Sequence, residues 1–171
     1  MLSFKQFLIE RASYKVFCDM DGVLVDFIAG VKKEINVKTE PSQSMIDEFL
    51  STYYAGTEKF WAELPWKQDG PRLWNTLKDL RTEILSACPQ NCKLSPEIVR
   101  GKKKWVKKHL GLTQGVNITN RKAKKKFVGP KYILIDDYAK NVNEWRLSGG
   151  IGIVHTSASN TLKELKRILL G

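Results

Sequence analysis

The stretch KVFCDMDGVLVDF, Lys15 to Phe27, decides the fold class of this chain. Its first residues are apolar and partly β-branched, which is typical of a strand buried in a sheet. Two aspartates, Asp19 and Asp21, stand where that strand ends. Because carboxylates at the end of a core strand are costly unless protons or cations offset them, the stretch predicts a site as well as a strand.

Four further runs in the sequence have the same strand-like character. Segments in which apolar residues recur at helical spacing separate these runs. Strands that alternate with helices predict an α/β fold, a Rossmann-like parallel sheet of about five strands with helices on both faces. The four runs are RTEILSA (81–87), GVNITN (115–120), KYILIDD (131–137) and GIGIVHT (150–156).

One segment breaks this alternation. Residues 27–81 separate the first strand from the second, and this is far more chain than a crossover helix requires. We predict a small helical cap at residues 30–68, inserted after the first strand. The core of the fold then comprises residues 14–29 and 69–171, and residues 1–13 form an N-terminal extension that is either a short helix or a leader.

Composition and charge narrow the functional classes. The 171 residues, 42% of them hydrophobic, suit one globular domain. No apolar run approaches the ~20 residues of a membrane span, and three cysteines without zinc-site spacing indicate reduced thiols in the cytoplasm. Much of the net charge of +11 comes from KKKWVKK (102–108) and RKAKKK (121–126), which are either solvated faces or a means of attracting nucleotides or nucleic acid.

A second pair of carboxylates, Asp136 and Asp137, follows the fourth predicted strand. If the first and fourth strands are neighbours, these two groups meet Asp19 and Asp21 at the sheet edge where α/β folds bind ligands. All-oxygen ligation suits Mg²⁺. An aspartate beside Mg²⁺ and a phosphate can act as a nucleophile, and a second carboxylate two residues later can act as general acid and base.

Other residues can hold the phosphate group. Ser86, at the end of the second strand, supplies a hydroxyl group, and the backbone N–H groups at and after it, including that of Ala87, are further donors. A lysine from RKAKKK can offset the charge of the transition state. These pieces, in this order along the chain, predict a phosphoryl-transfer enzyme.

The motifs DMDGVLVDF, ILSA, a lysine and ILIDD resemble the four motifs of the haloacid dehalogenase-like hydrolases. Within that superfamily the chain is most similar to the 5'(3')-deoxyribonucleotidases and related phage and bacterial proteins. The shared features are D-M-D-G-V-L-x-D-F, a W-V helix before the third strand, and L-I-D-D. The resemblance implies a magnesium-dependent phosphatase that acts on a small phosphate ester, most often a deoxynucleoside monophosphate. For a phage-encoded member the location would be the host cytoplasm.

The resemblance also implies roles for the carboxylates. Asp19 becomes the nucleophile and Asp21 the acid and base, with the backbone carbonyl of Asp21 also on magnesium. Asp137 becomes the direct metal ligand, with Asp136 as its partner. The metal set is therefore Asp19, Asp21, Asp136 and Asp137.

The remaining roles concern the substrate. Ser86 with Ala87 matches the phosphate-binding second motif, although the family often has Thr-Ser-Pro there. The family's third-motif lysine stands ten residues before the first aspartate of L-I-D-D, which predicts Lys126, with Lys124 and Lys125 as alternatives in the lysine run. Phe27 matches a position that lines the nucleotide pocket. Phe60 and Trp61 either stack on a substrate base or pack in the core.

Two alternative functions remain open from the sequence. The same chemistry would serve a phosphatase that acts on the terminal phosphates of nucleic acids or on another small phosphate ester. A non-catalytic basic module would instead bind nucleic acid through residues 102–108 and 121–126.

Overall fold

Five parallel strands form a single sheet in the computed structural model, which describes residues 14–52, 54–88 and 94–170. The predicted extension at residues 1–13 lies outside the described residues. In the sheet the strands follow the order β3-β2-β1-β4-β5. This confirms the predicted fold class, and it makes the first and fourth strands neighbours. The strands are β1 (Lys15–Cys18), β2 (Glu83–Cys88), β3 (Val116–Asn120), β4 (Tyr132–Asp136) and β5 (Ile151–Val154).

Helices cover both faces of the sheet. Within the described ranges the α-helices are α1 (Phe27–Glu34), α2 (Gln43–Ser51), α3 (Glu58–Ala62), α4 (Gly70–Leu77), α5 (Pro96–Leu110), α6 (Ala139–Leu147) and α7 (Ala158–Leu170). Short 3₁₀ segments span Tyr54–Gly56, Lys78–Leu80 and Arg121–Phe127. None of the helices in the described residues is both long and apolar enough to cross a membrane.

Alternating side chains along the strands divide the core in two. Val16 and Cys18 of β1 belong to the larger cluster, which includes buried residues of α4, α5 and α7 and of the inserted helices. Phe17 points to the opposite face and packs with Trp145 of α6, with the ring centroids 5.7 Å apart. Phe127 of the third 3₁₀ segment joins the smaller cluster, 6.0 Å from Phe17. This contact holds a basic segment against the sheet.

The insertion after β1 leaves and rejoins the core at one place. The backbone N–H of Asp26 donates to Pro65 O (2.9 Å), and that of Lys67 donates to Leu24 O (2.8 Å). Helices α1, α2 and α3 lie between these two points, and α1 begins before residue 30, where the predicted cap starts. The Asp26 side chain caps α1 by accepting a hydrogen bond from Ala29 N at 2.9 Å, which accounts for this third aspartate of the opening motif.

A close approach between α3 and α5 fixes the insertion on the core. A Cβ atom at Gly101 would overlap the Glu58 carbonyl and the Trp61 side chain, so only glycine fits there. The next residue of α5, Lys102, is fully buried. The close packing of α3 on α5 therefore places Lys102 in the interior, beside the ends of the first two strands.

Candidate active site

Carboxylates from two strand ends meet at the carboxyl edge of the sheet. Cys18 of β1 pairs with Ile135 of β4, so the residues that follow each of them come side by side. Asp19, Asp136 and Asp137 each offer a carboxylate oxygen, and these oxygens lie within 4.8 Å of one another. Asp19 and Asp136 are buried, whereas Asp137 is exposed. Three of the four carboxylates expected at this edge therefore converge, whereas Asp21 lines the same cavity outside this group.

The turn after Asp19 brings the backbone close to Asp137. Gly22 has φ of +78°, and a Cβ atom there would overlap the Asp137 carboxylate. Met20 O accepts hydrogen bonds from the next turn, including that of Val25 N at 2.8 Å. The glycine of DMDG is thus required twice, by its left-handed backbone and by the carboxylate beside it.

A buried lysine joins the carboxylates, and it is Lys124. Its Nζ lies 2.8 Å from Asp19 Oδ2 and 2.7 Å from Asp136 Oδ2. The side chain is only 3% exposed. Burial by itself lowers the pKa of Lys124, but the two carboxylates outweigh burial and raise that pKa above its usual value, so the ammonium stays charged.

Of the three lysines that the sequence leaves open for this role, the structure brings Lys124, and not the first choice Lys126, to the carboxylates. Lys126 is exposed, as is Lys125, whereas Lys124 reaches the carboxylates. The reason is the three-residue repeat of the 3₁₀ segment, in which residues i and i+3 share a face. Arg121, Lys124 and Phe127 therefore turn toward the protein. The spacing between Lys124 and Asp136 is twelve residues, whereas the resemblance implies ten.

A second buried lysine, Lys102, is not among the site residues predicted from the sequence. Its Nζ donates to Asp21 Oδ2 (2.5 Å), to Ser86 Oγ (3.0 Å) and to Ala87 O (3.1 Å), and lies 4.6 Å from the Trp61 ring centroid. All three N–H donors are thus used. The apolar stripe of α5 carried the signal, because Ile98, Gly101, Trp105 and Val106 place residue 102 on the buried face.

Lys102 makes the two carboxylate oxygens of Asp21 different from each other. Oδ2 accepts the lysine hydrogen bond, whereas Oδ1 is buried and has no hydrogen-bond partner in the described residues. Burial raises the pKa of Asp21, although the Lys102 ammonium opposes that rise. The Asp21 carboxyl group is therefore held in place with one oxygen left for a proton.

Asp136 and Asp137 have different surroundings. Asp136 accepts hydrogen bonds from Asn141 Nδ2 (3.1 and 2.9 Å) and from Tyr138 N (2.9 Å), in addition to the contact with Lys124. Burial raises the pKa of Asp136, and the Asp19 carboxylate adds to that rise. Although Asp137 as a residue is exposed, its carboxyl group is partly desolvated beside the cluster, and this desolvation together with the carboxylates of Asp19 and Asp136 raises the pKa of Asp137 to about 7. Protein donors thus occupy Asp136, and Asp137 is the carboxylate that faces outward.

A cavity of about 390 Å³ opens onto these carboxylates. Phe27, Ile28 and Tyr138 give it apolar walls, and Lys67, Arg121 and Lys124 contribute positive charge. Asp19, Asp21, Asp26, Asp137, Ala87 and Cys88 are also among its lining residues. Phe27, the predicted pocket residue, is thus one of the residues that line this cavity.

Three other predicted residues do not line the cavity within the described part of the chain. Phe60 and Trp61 are buried at 3% and 0% exposure, because they pack with Phe27 in the core of the insertion. The Trp61 indole N–H donates to Ala55 O at 2.7 Å. Ser86 is fully buried beside Lys102, and its neighbour Ala87 reaches the cavity instead. Phe60 and Trp61 are thus support for the Phe27 wall rather than a surface for a substrate.

Comparison with solved structures identifies the architecture. A hydrolase from Streptococcus pneumoniae TIGR4 superposes with a TM-score of 0.52 at 11% identity, over 89% of this chain and 97% of that chain. A hydrolase of the haloacid dehalogenase-like family from Streptococcus pneumoniae gives 0.53 at 16% identity, over 88% and 90%. This chain has the haloacid dehalogenase-like fold. At these identities the similarity shows the fold alone. Neither a protein-family model nor a curated protein sequence matches the chain.

Within the haloacid dehalogenase-like fold of this chain, the carboxyl edge of the sheet suits a divalent cation. Three carboxylate oxygens from Asp19, Asp136 and Asp137 lie close together, and their mutual repulsion helps to raise the pKa of Asp137. A hard cation with oxygen ligands would relieve that repulsion. The donor set contains no thiol or imidazole, so it fits Mg²⁺ better than zinc.

Proposed function

We propose that this protein is a magnesium-dependent phosphomonoester hydrolase that works through a phosphorylated Asp19. One observation carries the proposal: the Asp19 carboxylate lies at the cavity, beside the Lys124 ammonium and the Asp137 carboxylate. The structural neighbours described as hydrolases support the same reaction class. The resemblance of the four motifs supports phosphate esters as the substrates.

Asp19 would act as the nucleophile. Its Oδ1 accepts a hydrogen bond from Met20 N (2.8 Å) and its Oδ2 contacts Lys124, so the carboxylate cannot rotate freely. In the first step an Asp19 oxygen forms a bond to phosphorus, and the bond between phosphorus and the alcohol oxygen breaks. Lys124 offsets negative charge on the reacting groups. In the second step water attacks phosphorus, the Asp19 bond breaks, and inorganic phosphate leaves.

Asp21 would move the proton in both steps. Its Oδ1 is the oxygen without a partner in the described residues, and a raised pKa suits a carboxyl group that must hold a proton near neutral pH. Asp21 protonates the departing alcohol oxygen and then removes a proton from the attacking water. Lys102 holds Oδ2 and thereby orients Oδ1.

Asp19, Asp137 and the backbone carbonyl of Asp21 would hold the metal, and Asp136 would position Asp137 and Lys124. When bound, Mg²⁺ supplies positive charge that offsets the phosphate oxygens and the clustered carboxylates.

The finer proposal concerns the leaving group. The motifs favour a 5'(3')-deoxyribonucleotidase, and a cavity of about 390 Å³ with Phe27, Ile28 and Tyr138 on its walls is large enough for a nucleotide. The Phe27 ring stacks on Trp61 at an interplanar angle of 15° with centroids 5.7 Å apart, so the wall is rigid. A flat base could stack against such a wall.

Turnover of an aryl phosphate in the presence of Mg²⁺, followed by a panel of nucleoside monophosphates, tests the proposal. We expect Asp19→Asn to abolish phosphate release, because the amide cannot attack phosphorus. Asp26→Asn is the matched control: it lies in the same motif and lines the same cavity, but its side chain caps α1, and asparagine also caps helices. Undiminished activity in Asp19→Asn, or equal losses in both variants, would contradict the proposal.

A further inference from the structure

Two cationic side chains line the cavity outside the carboxylate cluster. Lys124 is occupied by Asp19 and Asp136. Lys67 and Arg121 line the same cavity and contact none of the clustered carboxylates. Within the described residues, Lys67 forms no ion pair. Lys67 is therefore an unpaired cation among the described residues, and Arg121 pairs with Glu144 outside the carboxylate cluster.

Arg121 is held in a fixed orientation with part of its guanidinium unused. Its Nη1 donates to Glu144 (3.1 Å to each oxygen) and to Asn141 Oδ1 at 3.2 Å. In the described part of the chain Nε and Nη2 have no hydrogen-bond acceptor. Asn141 also donates to Asp136, so the guanidinium is tied to the carboxylate cluster. An oriented arginine with free N–H groups suits a phosphate group, which it can bind through two parallel hydrogen bonds.

The position of Arg121 relative to Lys124 sets the distance between a phosphate group bound by Arg121 and the phosphate group that is hydrolysed. The two residues are one 3₁₀ turn apart, so their side chains leave the same face about 6 Å apart along the segment. Lys124 marks the place of the scissile phosphate, because it contacts Asp19. A phosphate bound by Arg121 would therefore be a near neighbour of the scissile one, separated by little more than a sugar.

The segment that supplies Arg121 and Lys124 also has exposed lysines. Lys122, Lys125 and Lys126 are exposed on the same 3₁₀ segment. Tyr138, at 50% exposure, also lines the cavity. A mononucleotide with a single phosphate, bound beside Lys124, would leave Arg121 and Lys67 without a phosphate group.

We propose that Arg121 and Lys67 form a second phosphate subsite, so that the preferred substrate is a nucleotide carrying another phosphate beside the scissile one. The inference rests on the proposed phosphatase function. Two sources share this chemistry, namely a nucleoside bisphosphate and the phosphorylated end of a nucleic-acid strand.

The test compares kcat/KM, with Mg²⁺, for thymidine 5'-monophosphate, thymidine 3',5'-bisphosphate and a short 5'-phosphorylated oligothymidylate. We expect the wild-type protein to prefer a substrate with a second phosphate by about tenfold, the lower end of what hydrogen bonds to charged groups contribute. Arg121→Gln should lower that preference by a similar factor. Arg167→Gln removes the same charge from an exposed position on α7 and should keep the wild-type preference. The bisphosphate and oligonucleotide arms show which source is used.

A wild-type preference ratio of one, or equal ratios in Arg121→Gln and Arg167→Gln, would overturn the subsite. If Arg121→Gln does not fold, as judged by its thermal melt, Lys67→Gln answers the same question. Failure of the proposed function looks different, because then no substrate, including the aryl phosphate, releases phosphate. In that case the second phosphate subsite is tested by binding. The ratio of the dissociation constants of the monophosphate and the bisphosphate should be about ten in the wild type and in Arg167→Gln, and about one in Arg121→Gln.

Discussion

Replacing Lys124 with methionine should separate this lysine from its neighbours in the basic run. The substitution keeps the length of the side chain but removes an ammonium that is 3% exposed and lies within 2.8 Å of two carboxylates. Removing one partner of a buried ion pair costs about 3–5 kcal/mol, because the remaining charge is left uncompensated. Because Asp136 keeps Asn141 and Tyr138 N as hydrogen-bond donors, we expect the free energy of unfolding to fall by the lower end of this range, about 3 kcal/mol.

Urea unfolding in EDTA measures this loss. With a slope of about 2 kcal/mol per molar urea, the midpoint should fall by about 1.5 M. Lys126→Met is the matched control, since Lys126 is exposed, and its free energy of unfolding should stay within about 0.5 kcal/mol of wild type. Phosphate release by Lys124→Met should also fall by a factor of about 100 to 1,000, as for other lost transition-state donors.

The loss in Lys124→Met should depend on pH. Burial already raises the pKa of Asp136, and without the ammonium that pKa rises further. When the pKa of a carboxyl group is higher in the folded than in the unfolded state, the free energy of unfolding falls as the pH rises from the unfolded pKa to the folded pKa. The gap between variant and wild type should therefore be wider at pH 8 than at pH 5. Equal midpoint shifts in Lys124→Met and Lys126→Met, or a pH-independent gap, would refute the reasoning.

Three further changes probe other parts of the site. Lys102→Met should abolish most phosphate release and lower the urea midpoint, because it leaves a buried carboxylate without its cation, whereas Lys103→Met, on the exposed face of α5, should change neither. Gly22→Ala should lose magnesium-dependent turnover because its Cβ meets the Asp137 carboxylate, while Gly111→Ala, also at positive φ but with open space, should lose only about 1–2 kcal/mol of stability. In EDTA the thermal midpoint should fall between about pH 4 and 7, as Asp137, whose pKa is raised to about 7, loses its proton. Stabilisation by added Mg²⁺ should be larger at pH 8 than at pH 5.5, and a gain that does not grow with pH would argue against Asp137 as a ligand.

The basic runs show how far sequence interpretation reaches. KKKWVKK and RKAKKK read as solvated faces or anion-attracting patches, and most of their lysines are indeed exposed. Yet each run places one lysine in the interior, Lys102 and Lys124. Helical periodicity marks both positions, since Trp105 stands three residues after Lys102 and Phe127 three residues after Lys124. An apolar residue one turn away was a better guide than the spacing to the next motif.

For the aromatic residues of the insertion, by contrast, no local pattern predicts whether the side chains pack in the core or contact a ligand. Phe60 and Trp61 could equally stack on a ligand or on each other, because burial depends on what the rest of the chain places over them. The tight packing of α3 on α5 at Gly101 decides the matter, and both rings end in the core.

By itself the sequence determined the five strands, the parallel α/β class and the carboxylates at the strand ends. These follow from local patterns, because alternation and apolar runs are set within a few residues of each other. Tertiary structure alone decided which carboxylates the two buried lysines contact and which oxygen of Asp21 lacks a hydrogen-bond partner among the described residues. Those outcomes depend on contacts between distant segments, such as Lys102 with Asp21 and Lys124 with Asp19, and no local pattern encodes the distance between two side chains that only the folded sheet brings together.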